Sequence, residues 1–278
     1  MKRTVCLCLA VLAFSVPAGL WAAEVQPPAG SALVAAGSGV NLGVTRLLAE
    51  AFTKQNPRIA VTVPGSIGTR GAIKAAAEGA VTFGLISRPL EKEELSMGFT
   101  EKVYARVPIV VAVHPAVKEE GLSDQELADI YRGKKTRWKD GHEIVVQVRE
   151  KSDSGFRVLQ EKVPGFKEAY QESQQANRWT LYYNDQEANQ AIARTPYAIG
   201  VSDLGMIRTE KLPIRALKLN GVVPGPETLG NGRYTLGRDL SFIYLEKTLP
   251  KEARAFLAFV SSDRGGSILK ANGYLAVK

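Results

Sequence analysis

Cysteine and histidine are scarce, with two of each in 278 residues, and their positions exclude more than their number does. Cys6 and Cys8 both lie in the first 23 residues, so a chain shorn of that segment has no cysteine. Disulfides, thiolate nucleophiles and cysteine-based zinc sites are thereby excluded from the mature protein. His114 stands before a proline at the end of an apolar run, and His142 follows Gly141 in a turn. Neither has carboxylates at metal-ligand spacing, and no Gly-x-Ser-x-Gly elbow is present. The sequence offers no catalytic residue, no metal set and no cofactor motif. An exported hydrolase is the weakest of the functional readings, and the expectation is a protein that is not an enzyme.

Long apolar runs are equally rare. Residues 5–14 form one, preceded by Lys2 and Arg3 and followed by small residues at Ala18, Ala22 and Ala23. That is the pattern of a cleaved signal peptide over residues 1–23. The run is too short to span a bilayer. No small-residue lipobox precedes a cysteine at its end, so no lipid anchor is expected, and the mature protein is expected in the periplasm. Long runs of one charge are absent too. Of the 36 basic residues, Lys2 and Arg3 leave with the signal, which puts 34 against 28 acidic ones. The basic residues are scattered, with no run beyond Lys134-Lys135, so the excess suits small anions and not a nucleic-acid stripe.

What the chain has in quantity is one local pattern, a short apolar strand breaking into a polar loop that opens a helix. Residues 144–149 end on Arg149, and Ser152, Asp153, Ser154 and Gly155 then lead into a helix over 156–162. Serine and aspartate are favoured N-caps, and the free N–H groups of a helix start suit an anion. Arg149 can fork two N–H groups onto oxygens held there. The pattern occurs earlier at residues 32–36, which run into Gly37-Ser38-Gly39-Val40-Asn41-Leu42-Gly43 and then Leu47, Leu48, Ala51 and Phe52 at helical spacing. It occurs again where Ile59, Val61 and Val63 precede Gly65-Ser66-Ile67-Gly68, and residues 81–86 deliver Ser87-Arg88-Pro89-Leu90. In open α/β sheets ligands bind outside the carboxyl ends of strands. Ser123-Asp124-Gln125-Glu126 reads as a capping box closed by Gly133, and Asp185 as the cap of a helix through Ala188 and Ile192.

Five stretches in order carry a resemblance to the periplasmic phosphate-binding proteins of the ABC phosphate importer. They are Gly37-Ser38-Gly39 with its helix, Phe83 through Ser87-Arg88-Pro89-Leu90, Leu122-Ser123 through Gly133 to Trp138, Arg149 with Ser154-Gly155, and Phe256 through Tyr274-Leu275. The resemblance implies an α/β, two-lobed type II periplasmic-binding fold with mixed sheets flanked by helices and a ligand cleft between lobes. It places lobe one in residues 31–108 and 204–278 and lobe two in 109–203, with two crossing strands near 107–111 and 199–203. It implies capture of a tetrahedral oxyanion, phosphate first and sulfate, molybdate or tungstate as alternatives, for a membrane permease, by a monomer. A sensory or scaffold role on the same fold is a further alternative.

Carried over by position, the ligand residues are Ser38, Gly39, Asn41, Leu42, Ser66, Ser87, Arg149, Asp153, Ser154 and Gly155. Three departures from the family pattern bear on the ligand. Arg88 stands where many phosphate binders have an aspartate that accepts the proton of monohydrogen phosphate. The turn from Arg149 to Ser154 is one residue longer, with Phe156 in place of a threonine. Asp153 is the expected substitute acceptor.

Overall fold

The computed structural model describes residues 31–277. The strands in chain order are β1 (Ser31–Gly37), β2 (Ile59–Thr62), β3 (Phe83–Ile86), β4 (Thr100–Val113), β5 (Gly121–Leu122), β6 (Val145–Arg149), β7 (Thr180–Tyr182), β8 (Ala198–Asp203), β9 (Arg215–Ala216), β10 (Lys218–Leu219), β11 (Gly237–Tyr244) and β12 (Leu275–Ala276). The helices are α1 (Gly39–Gln55), α2 (Gly68–Ala77), α3 (Lys92–Leu95), α4 (Asp124–Arg132), α5 (Ser154–Lys162), α6 (Phe166–Gln175), α7 (Asp185–Arg194), α8 (Leu204–Thr209), α9 (Pro226–Gly230), α10 (Lys251–Val260) and α11 (Asp263–Ala271).

The sheet runs β2-β1-β3-β11-β4-β8-β6-β7. Its pairing changes along β4, whose first half lies antiparallel to β11 and whose second half lies antiparallel to β8. On one side β1 is parallel to both β2 and β3; on the other, β6 is parallel to both β8 and β7. Residues 109–113 of β4 form an unbroken apolar run, and all are buried because elements cover both faces. In register with them Ile109 faces Asp203 and Val111 faces Val201, so β4 and β8 cross together between the two halves.

Each half has its own core, which makes the molecule two-lobed. One gathers Phe52, Phe83, Tyr104, Phe242, Phe256 and Tyr274, with Tyr104 stacked on Phe242 at 4.4 Å between ring centres. The other gathers Tyr131, Trp138, Phe156, Phe166 and Tyr170, with Tyr131 edge-on to Phe166 at 4.8 Å. Leu217, Leu219, Tyr234 and Leu236 pack in this second core, although by sequence position they follow residue 204.

The capping box expected for α4 forms, and the cap expected for α7 shifts by one residue. Ser123 and Glu126 form the reciprocal capping box, and Gly133 closes α4 in the left-handed region at φ +78°. Asn184, not Asp185, caps α7, accepting from the Glu187 N–H at 2.8 Å. Asp185 is thereby moved one place into the helix. Its carboxyl is left for the cleft.

Candidate anion-binding site

β1, β3 and β6 deliver their last residues to one place, and α1 and α5 start there. The approach is close. A side chain at Gly37 would stand 2.1 Å from the Leu85 carbonyl oxygen, so only glycine lets Ser38 N–H bond that carbonyl at 2.9 Å. The Ser38 and Ser87 hydroxyl oxygens are then 2.9 Å apart, and Ser87 and Ser154 are 3.1 Å apart across the cleft. These hydroxyls line a cavity of about 400 Å³ together with Gly39, Ser66, Arg149, Asp153, Asp185 and Arg238. As the first residues of helices, Gly39 and Ser154 carry N–H groups that the helix itself cannot satisfy.

Arg149 is buried, and three groups hold its guanidinium. Nη1 donates to the Tyr182 carbonyl at 2.8 Å, Nη2 meets Asp153 Oδ2 at 3.3 Å, and Nε stands 3.7 Å from Asp185 Oδ1. Nε is a buried donor without an acceptor among the described residues. From behind, the Tyr170 hydroxyl donates to the Arg149 carbonyl at 2.9 Å and fixes the strand end.

Seven of the ten residues expected from sequence line the cavity: Ser38, Gly39, Ser66, Ser87, Arg149, Asp153 and Ser154. Gly155 lies in the first turn of α5, where an added Cβ would meet Asp153 Oδ1 at 3.1 Å. Asn41 and Leu42 turn away. Because α1 already begins at Gly39, both lie inside the helix. Asn41 donates to the Ile86 carbonyl at 3.2 Å and the Tyr104 hydroxyl at 3.1 Å, and Leu42 packs in the first core.

Arg88 and the expected substitute acceptor Asp153 both have definite partners. Arg88 is bidentate to Glu94 at 2.7 and 2.8 Å, which holds the Glu94 carboxyl below its ordinary range. It therefore adds little net positive charge to the cleft. Asp153 is the N-cap of α5, accepting from the Phe156 N–H at 2.9 Å through Oδ1 while Oδ2 faces Arg149. Both oxygens are engaged, so the geometry gives Asp153 a cap and a bracing contact. Substituting Asp153→Ala is expected to lower stability by about 1 kcal/mol for the lost cap. Urea denaturation checks this; an unchanged midpoint would show the cap to be inactive.

Two wall residues, Arg238 and Asp185, and Asp203 paired with the first, were not among the residues expected from sequence. Arg238 on β11 makes a bidentate ion pair with Asp203, at 3.1 Å through Nε and again through Nη2, and Nη1 donates to the Ser154 hydroxyl. Burial pulls the Arg238 guanidinium down, but Asp203 and Asp153 outweigh it and hold it firmly charged. At Asp185, burial, with Asp153 nearby, pushes the carboxyl up to about 6 against the pull of Arg149. The available signals were Asn184-Asp185, two adjacent cap types, and lone charges at the ends of apolar strands.

A family model for the PBP superfamily domain matches residues 22–264. The chain belongs to the PBP superfamily. Among its curated relatives is the phosphate-binding protein PstS of Borreliella burgdorferi, 26% identical over 199 residues that cover 69% of this chain and 71% of that protein. The Bacillus subtilis phosphate-binding protein PstS is 25% identical over 261 residues, 92% of this chain and 84% of that protein. Among solved structures, a Clostridium perfringens substrate-binding protein assigned to a phosphate ABC transporter carries bound phosphate. It superposes with a TM-score of 0.77 at 26% identity, covering 89% of this chain and 100% of that one. The mixed sheet, two cores and interlobe cleft described above are those of a superfamily member. The resemblance read from the five motifs stands.

Proposed function

We propose that this superfamily member captures phosphate and delivers it, chemically unchanged, to the membrane permease of an ABC importer. The observation that carries the reading is the meeting of three serine hydroxyls, the buried Arg149 and two helix starts on one cavity. Hydroxyls and backbone N–H groups donate without adding charge, and a planar guanidinium presents paired donors to a tetrahedral anion. Helix N-termini add their partial positive charge. The names of the relatives select phosphate from the oxyanions this chemistry accepts.

In this reading the first lobe comprises residues 31–108, 204–214 and 237–278, and the second 109–203 together with 215–236, whose side chains share its core. Ligand contacts divide between lobes, so the anion favours the shut form. Residues 1–23 direct export to the periplasm, where the protein works as a monomer; residues 1–30 lie outside those the structure describes.

A thermal-shift panel on protein stripped of bound anion tests the proposal. At about a hundred times Kd, phosphate should stabilise by about 2.7 kcal/mol, a rise of roughly 5–11 °C for a chain of this size. Sulfate, molybdate and tungstate should give smaller shifts, and a chromogenic phosphate ester should not be hydrolysed. A panel in which no oxyanion raises the melting point would overturn the reading, and a larger shift with another oxyanion would replace phosphate by that ion.

A further inference from the structure

We infer that the anion is captured together with one proton, and that Asp185 holds this proton as a neutral acid donating to the anion. The inference rests on the reading of the cleft as an oxyanion site. Its starting point is a charge imbalance in the cluster around Asp185. Two guanidinium groups, Arg149 on β6 and Arg238 on β11, meet three carboxylates, Asp153 before α5, Asp185 on α7 and Asp203 on β8, the last paired with Arg238. The cavity lining also holds Arg70, Arg88, Glu91, Glu150 and Arg157; of these Arg70, Glu91 and Arg157 are exposed, and Arg88 is paired with Glu94. From the remaining neighbour, α1, Gly39 offers only backbone, so close that an added Cβ would meet Asp185 Oδ2 at 2.7 Å. An anion added beside a cluster already one charge negative is opposed unless a carboxylate takes a proton.

The three carboxylates are not equivalent. Asp203 receives two bonds from Arg238, and Asp153 receives the Phe156 N–H and faces Arg149 Nη2. Asp185 has only Arg149 Nε at 3.7 Å, with no hydrogen bond to its carboxyl oxygens among the described residues. Burial already lifts it to about 6. An arriving anion raises it further. A protonated Asp185 then adds an O–H donor, and Arg149 Nε is released to the anion. The proton comes from solvent, and no covalent bond to phosphorus changes.

The test is calorimetric titration of stripped protein with phosphate at about pH 8, where free Asp185 is ionised, in buffers of different ionisation enthalpy. The wild type should take up about one proton per anion beyond any carried by free phosphate. Its affinity should fall by about tenfold per pH unit above that point. Asp185→Asn, whose amide donates at every pH, should bind with no uptake, and Asp153→Asn should keep the uptake. Wild-type binding without uptake would overturn the inference and leave phosphate capture standing, whatever the variants do. Uptake that persists in Asp185→Asn, or vanishes in Asp153→Asn, would equally overturn it. A wild type that binds no phosphate at any pH would take down the functional reading itself.

Discussion

Replacing Arg149 by alanine should weaken phosphate binding by roughly ten- to a hundred-fold or more. Each charged hydrogen bond is worth about 1.5–3 kcal/mol, and about 1.4 kcal/mol is a factor of ten in affinity. The structure adds a second cost. Arg149 separates Asp153 from Asp185, at 3.3 and 3.7 Å, and its loss leaves the buried Asp153 and the partly buried Asp185 to repel each other and the ligand. Arg149→Lys should restore only part of the affinity. An ammonium supplies the charge but cannot reach the Tyr182 carbonyl and both carboxylates as one planar group. Titration of both variants measures the effect. Wild-type affinity in Arg149→Ala would show that the guanidinium braces the lobe without touching the ligand.

The largest effect on stability is expected at Arg238. Its guanidinium and Asp203 are both buried, their side chains 5% and 1% exposed. Breaking such a pair from one side costs about 3–5 kcal/mol, because an uncompensated charge stays behind. For a chain of this size, Arg238→Ala should lower the melting point by roughly 6–20 °C. Removing both charges together, as Arg238→Met with Asp203→Leu, should recover most of that loss, since apolar replacements of similar volume are often neutral. The recovery would be in melting point, not in binding, because the Ser154 hydroxyl has lost the donor that orients it. Calorimetric melting of the single and double variants settles the point. Equal melting points in Arg238→Ala and wild type would contradict the burial on which the argument rests.

Ser38, Ser87 and Arg149 were readable in the sequence because each ends a β-branched or small-residue run before a helix or turn, and Ser154 because it follows a polar turn at a helix start. Strand ends of this kind are local events. Asn41 and Leu42 were misplaced by a boundary: α1 begins at Gly39, inside the stretch 37–43 read as a glycine loop, and the helical turn carries both into the core. At α5, Ser152, Asp153 and Ser154 are all cap types, and only the three-dimensional turn selects Asp153. Arg238 and Asp203 lie 35 residues apart. Their pairing depends on β11 and β8 flanking β4, and no periodicity encodes that. Neighbouring positions on β11 divide their roles, Arg238 pointing inward to Asp203 while Asp239 meets Arg106 at 2.7 Å on the exposed side. Alternation gives two faces; topology decides which is the cleft.

The central claim is that Ser38, Ser87, Ser154 and Arg149 form one oxyanion site, and isothermal titration of anion-stripped protein with phosphate tests it most directly. The account predicts a single saturable site with one phosphate per chain, and affinity sharply reduced in Arg149→Ala. Absence of binding heat with phosphate across temperature and pH, in a protein that melts cooperatively, would contradict it.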